Sequence, residues 1–153
     1  MKRKLSFLPF LLIAFAGCTT DTIYSHYRHI ADEEWGRSDT LIYIVPGIQH
    51  GGTYDLAVGL RTTSGYPYSD LTFVVEQEMI PSGRHSTDTF KVSLTTQDTR
   101  VQQNGTGVAL RQYHFPFKQL TLTEGDTLKL TLKHDMQRDP LPGVADVGIT
   151  LQR

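Results

Sequence analysis

The chain has a single cysteine, Cys18, among 153 residues, and that scarcity excludes much. No disulfide within the chain and no cysteine-based metal centre can form. Charge imbalance is lacking too: 15 basic against 16 acidic residues leave a formal net charge of −1. Such a chain has no bulk attraction for phosphates or for an anionic membrane surface, so no nucleic acid is expected as a partner. Glycine-rich phosphate cradles and calcium-loop spacings are missing. His26 and His29 could share a helix face, but no third ligand stands at a suitable spacing, so neither metal nor other cofactor is expected. His50, His85, His114 and His134 are scattered among turns and strand ends. Ser64, Ser69, Ser82 and Ser86 sit in loops without a nucleophile-elbow pattern. Glu76 and Glu78 fall on one strand face, where neighbouring carboxylates ordinarily make a solvated surface rather than an acid–base pair. No active site assembles, and the chain reads as a non-enzyme.

What is present begins at the N-terminus. Met1-Lys2-Arg3-Lys4 is a basic lead, residues 5–16 form a short apolar run, and Ala16-Gly17 supplies small residues just before Cys18. That order is a secretory signal whose cleavage would leave cysteine as the first mature residue, the lipobox arrangement of bacterial lipoproteins. The thiol then takes a diacylglyceryl group, and the new amine is usually acylated as well. Two or three chains bury enough methylene for stable anchoring, which one chain does not. The apolar run is too short, and too promptly followed by Thr19-Thr20-Asp21, to span a bilayer comfortably. Phe15 stands where leucine is commonest, a mild departure. Residues 1–17 are thus read as the signal, 18–22 as a short lipid-anchored tether, and 23–153 as one domain. Cleavage removes Lys2, Arg3 and Lys4, which makes the mature chain mildly acidic.

From Thr40 onward the periodicity is that of strands. Tyr54, Leu56, Val58 and Leu60 alternate with Asp55, Ala57, Gly59 and Arg61. Leu71, Phe73 and Val75 repeat the pattern, as do Phe90, Val92 and Leu94, then Leu128, Leu130 and Leu132, then Val147, Ile149 and Leu151. Residues 41–45 are apolar on both sides, which predicts a central or doubly covered strand. Residues 23–36 fit either a lead-in strand or a brief helical turn at 31–34. Turn chemistry separates the runs at Pro46-Gly47, His50-Gly51-Gly52, Ser64-Gly65, Pro81-Ser82-Gly83, Asn104-Gly105 and Glu124-Gly125-Asp126. The fold class is therefore all-β: an antiparallel β-sandwich of about seven to eight strands, with a closed barrel as the competing architecture. Its expected core includes Leu56, Val58, Phe73, Val92, Leu130 and Ile149.

The aromatic residues are the remaining functional signal. Tyr66-Pro67-Tyr68 is a stiffened loop whose two rings suit either a protein or glycan contact or a plug for the sandwich end. In the second role one hydroxyl would cap a loop carbonyl. Trp35, the only tryptophan, stands before the first strong strand and reads as core more readily than as a third platform. Tyr113-His114-Phe115-Pro116-Phe117 places rings at alternate positions, with Pro116 implying an edge or a bulge.

The lipobox, Trp35, Leu60-Arg61, the Tyr66-Pro67-Tyr68-Ser69-Asp70-Leu71 block and the block from Leu141-Pro142-Gly143 to Ile149 together resemble the gliding motility lipoprotein GldH family of Bacteroidetes. The resemblance runs along essentially the whole chain. It implies a non-enzymatic lipoprotein of the envelope, associated with gliding and the related type IX secretion apparatus, with other envelope proteins as partners. It supplies no binding residue. Thr19-Thr20-Asp21-Thr22 carries only one acid, so the expected location is the outer membrane facing the periplasm. The alternative reading is a carbohydrate-binding envelope lipoprotein that stacks sugars on Tyr66, Tyr68 and Trp35. Anchoring itself is directly testable. Replacing Cys18 with serine should leave an uncleaved or soluble form, and mass spectrometry that finds an unmodified Cys18 in the mature protein would refute lipidation.

Overall fold

The computed structural model describes residues 21–94, 100–103 and 109–153, so the signal, Cys18 and the Asn104-Gly105 turn lie outside it. The described residues form eleven strands in chain order: β1 (Thr22–His29), β2 (Glu34–Trp35), β3 (Leu41–Val45), β4 (Gly52–Thr62), β5 (Asp70–Ile80), β6 (Arg84–Ser93), β7 (Arg100–Gln103), β8 (Ala109–Leu122), β9 (Thr127–His134), β10 (Leu141–Pro142) and β11 (Val144–Gln152). One 3-10 turn, Ala31–Glu33, joins β1 to β2. A five-stranded sheet in the order β1-β11-β4-β8-β7 packs on a four-stranded sheet in the order β3-β9-β5-β6. A two-stranded ribbon of β10 and β2 closes one end. All pairings are antiparallel, and the architecture is the all-β sandwich that the alternation predicts.

The core arises from the alternation itself, because successive side chains on a strand point to opposite faces. On β9, Leu128, Leu130 and Leu132 are fully buried, while Lys129 and Lys133 on the outer face pair with Glu78 and Glu76 of β5 at 3.3 and 3.5 Å. The two glutamates are thus a solvated strand face. Leu56, Val58, Phe73, Val92, Leu130 and Ile149 all lie in the core. On the outside of the larger sheet, the Tyr27 ring lies flat across β11. A Cβ added at Gly148 would stand 2.6 Å from it, so only glycine permits this cover. The Arg61 guanidinium sits 4.2 Å from the centre of the same ring.

One expectation needs correction. Residues 41–45 form an edge strand, not a central one: β3 pairs only with β9, and Ile42 and Ile44 are 40% and 53% exposed. Its apolar outer positions therefore reflect the fit of β-branched residues to a pleated strand rather than burial on two sides. The ambiguous lead-in contains both alternatives, a strand and then a single turn. Asp21 exchanges two backbone hydrogen bonds with Arg153, and Thr22 pairs with Gln152. Pro116 marks a bulge. Leu56 faces Lys118 and Ala57 faces Pro116, leaving Phe117 as the extra residue.

Trp35 is fully buried at the ribbon end, its indole N–H donating to the Asp39 carbonyl at 2.9 Å. Its ring contacts Phe73, and it meets His134 edge-on with centroids 5.1 Å apart. His134 is itself buried. Its Nδ1 accepts the Met136 backbone N–H at 3.3 Å, so Nε2 carries the proton and donates to the Trp35 carbonyl at 3.0 Å. Burial holds its pKa below the ordinary value, against the opposing pull of the Trp35 carbonyl. The folded state then binds fewer protons than the unfolded state as pH drops below about 6.5. The contribution of His134 is full above that pH and is lost as pH falls toward the lowered folded-state value. Melting temperature should accordingly drop between pH 7 and pH 5. His134→Leu should melt lower at pH 7 but show a smaller drop, and an equal drop in both proteins would refute this account.

Candidate functional site

The β4–β5 connection carries the tyrosine pair, and its shape is set by neighbours from three parts of the chain. Thr63 N–H donates to the Gly143 carbonyl, and Gly143 N–H donates to the Glu33 carbonyl. The Thr63 hydroxyl donates to Glu33 Oε2 at 2.9 Å. Gly143 takes φ of 78°, and a Cβ there would come within 2.5 Å of the Gly65 carbonyl carbon. Only glycine satisfies both demands. The Tyr66 and Leu141 blocks, far apart in sequence, therefore meet at the end of the sandwich closed by Trp35, where Leu141 pairs with Trp35.

Within the loop the two tyrosines do different things. The Tyr66 hydroxyl donates to the Asp70 carbonyl at 2.6 Å, and its ring packs against the core. Burial is the first cause raising its pKa, so the phenol keeps its proton and stays a donor. Tyr66 is thus the plug whose hydroxyl caps a carbonyl. Tyr68 meets it edge-on, with centroids 5.7 Å apart. It is half-buried, and its hydroxyl makes no hydrogen bond among the described residues. The pair borders a cleft of about 320 Å³ together with Pro67, Arg111 and Tyr113. Trp35 takes no part, because it is enclosed in the core and offers no face for stacking.

Other sequence candidates disperse. His29 lies 3.3 Å from Asp146, while His26 stacks edge-on against Tyr43. Among the described residues no group of three or more histidine, cysteine or acidic side chains is arranged to hold a metal ion. No helix among them is long and apolar enough to cross a membrane. What sequence reasoning missed is the division of labour in the tyrosine pair. Spacing shows two rings held by one proline but not which hydroxyl finds a carbonyl.

Comparison with known proteins covers the same stretch. A family profile described as GldH lipoprotein matches residues 22–151. The chain is 22% identical over 151 residues to the gliding motility lipoprotein GldH homolog of Christiangramia forsetii, covering 94% of this chain and 91% of that one. Against the gliding motility lipoprotein GldH of Flavobacterium johnsoniae it is 22% identical over 148 residues, with coverage of 92% and 91%. The loop geometry yields its own prediction. Tyr66→Phe should cost about 1 kcal/mol by leaving the Asp70 carbonyl without its donor, measured by denaturant unfolding. Tyr68→Phe should cost nothing measurable, and equal losses would remove the assignment.

Proposed function

The chain belongs to the GldH lipoprotein family, and from that premise we propose that it is a lipid-anchored, non-enzymatic accessory of the gliding and type IX secretion apparatus. In this reading the signal of residues 1–17 is removed and Cys18 is acylated. The protein then sits in the outer membrane facing the periplasm and acts by binding other envelope proteins.

One observation supports the choice of docking surface: the tyrosine loop and Asp21, the first described residue, lie at opposite ends of the strands. Asp21 is held beside Arg153, level with the start of β4, and the Tyr66 loop follows the end of β4. From Tyr54 to Thr62 the strand rises roughly 25 Å at the usual spacing per residue. With only Thr19 and Thr20 between Cys18 and the sheet-bound Asp21, the near end is held against the bilayer and the far end faces away. Tyr68 adds a ring of restricted freedom and an unspent hydroxyl, which costs little entropy to immobilise. The rival glycan platform loses its third ring with Trp35 in the core.

The test is Tyr68→Ala expressed in the native envelope, followed by crosslinking and co-purification beside a melting curve. The Tyr68 ring also packs against the core, so a lower melting temperature is expected for this variant; partner recovery should be lost with Tyr68→Ala and retained in a control of equal melting temperature, Leu71→Val. Undiminished recovery would sink the docking surface, and strong glycan binding without machinery partners would overturn the functional reading.

A further inference from the structure

The sheet edges are guarded by polar side chains. Beside edge strand β6, the Gln77 amide nitrogen and the Lys118 ammonium both donate to Asp88 Oδ2 at 2.7 Å. Inward-turned charge of this kind discourages the addition of another strand. At edge strand β3, Arg28 donates to the Ile42 carbonyl at 2.7 Å and so takes one of the free acceptors of that edge. What stays uncovered is apolar. Among the described residues the exposed large hydrophobic side chains are Ile23, Ile42, Ile44 and Ile80. Single exposed apolar residues need no explanation, but three of these gather at one end of the sandwich. Ile44 is the last residue but one of β3, and Ile80 is the last of β5. Both stand on the outer face of the smaller sheet, where Ile44 faces Lys129 and Ile80 faces Thr127. Only β9 lies between them, a separation of roughly 10 Å. On β1, Arg28 reaches Ile42 and His26 meets the Tyr43 ring, and counting back along the strand brings Ile23 level with Ile44.

The loop from β3 to β4 and the turn from β8 to β9 close this same end, tied by backbone hydrogen bonds from Ile48 to residues 125 and 126. Asp21 is bonded to Arg153 here as well, so the isoleucines border the end at which the chain enters the sheet. Strand propensity asks for β-branched residues at such positions, but Thr127 and Thr131 meet that demand on the neighbouring strand β9. It does not collect isoleucine at one end. Charge offers no other explanation: Lys129 is matched by Glu78 at 3.3 Å and Arg84 by Asp126 at 3.9 Å, and the exposed Arg153 is set against Asp21 and Glu124. No surplus of cations is left to draw anionic headgroups. With Cys18 acylated, the chain from Cys18 to Asp21 spans roughly 10 Å when extended, so acyl chains are the nearest apolar phase. We propose that Ile23, Ile44 and Ile80 form a rim that sinks into the headgroup–acyl boundary of the bilayer, docking the domain in one orientation. The inference rests on the lipid-anchored reading above. Three shallow side chains bind lipid weakly alone, but a short tether makes their contact intramolecular.

The experiment uses the full-length protein purified from the native envelope and reconstituted into phosphatidylcholine vesicles brominated near the headgroup. A bimane label is attached through Gln49→Cys, in the loop beside the rim, or through Ser64→Cys, in the far loop; both positions are exposed. Wild type carried through the same labelling supplies the blank. Bromine should quench the label at 49 and not at 64, and the quenching should persist in about 1 M salt, where charge is screened within ~3 Å. Ile23→Thr, Ile44→Thr and Ile80→Thr together keep β-branching at each strand position and should remove most of the quenching at 49. Val74→Thr, a similar exchange on the same outer face roughly 20 Å from Ile80, controls for lost packing and should leave it intact. No quenching at 49, quenching lost in salt, or quenching that survives the triple exchange overturns the proposal; in the last case the tether alone holds the end near lipid. An unquenched label with a detergent-phase dimer that the triple exchange dissolves would assign the rim to a second copy instead. Mass spectrometry of the same sample reads acylation of Cys18 separately. An acylated chain with an unquenched rim fails this inference alone, whereas an unacylated chain fails the anchoring reading and the label at 49 still decides the rim.

Discussion

The far end of this sandwich depends on Trp35. Its backbone pairs with Leu141, its carbonyl accepts a hydrogen bond from His134 Nε2–H, its indole donates to the Asp39 carbonyl and its ring fills the space beside Phe73. A sandwich of two twisted sheets splays at its ends, and one large ring with a polar handle closes such an opening better than several small side chains. Because Trp35 fixes Leu141, it also fixes Gly143 two residues on, and Gly143 holds the backbone of the tyrosine loop. The loop conformation is thus inherited from a buried ring that no partner touches. Packing at the end of the core and geometry at the surface are one structural unit.

How much of this was legible in the sequence follows from what alternation can and cannot report. Wherever apolar residues repeat at every second position, as on β4, β9 and β11, the inner face is legible directly. The run at β3 misleads because Ile42 and Ile44 satisfy strand propensity without being covered. The two-residue strands β2 and β10 are too short to carry any period, and are made by the tertiary contact of Trp35 with Leu141. The end of β5 is the instructive failure. Val75-Glu76-Gln77-Glu78-Met79 reads as a polar stretch, yet the period continues unbroken and carries Gln77 into the core. Composition alone hid it, since a buried glutamine is uncommon.

Lys118 was hidden for a different reason. The bulge adds a residue to β8, and an added residue shifts the facing of everything beyond it. Phe117 contacts Phe90 with centroids 4.8 Å apart, so Phe117 and its neighbour Lys118 both turn toward the opposite sheet. Pro116 signals that pairing is interrupted nearby but not which side chains are turned. The polar group of Gln77, Asp88 and Lys118 therefore combines a continued period on one sheet with a broken one on the other. No single-strand pattern contains that information.

The same bulge explains why polar groups collect at this margin of the sandwich. Here β7 pairs with β8 only over Ala109–Gln112, so the stretch of β8 from Phe117 onward has no partner strand on that side among the described residues. Opposite it, β6 is the edge of its own sheet, and its inner positions pass from Val92 and Phe90 to Asp88, Ser86 and Arg84. Apolar cover fades as the facing sheet recedes. A lysine can reach inward there because its stem crosses the apolar margin while the ammonium finds a carboxylate. Gln77 lies one strand deeper, where burial is complete but the polar margin is still within reach of its nitrogen. Its two amide atoms therefore experience different environments, one paired to the edge network and the other enclosed.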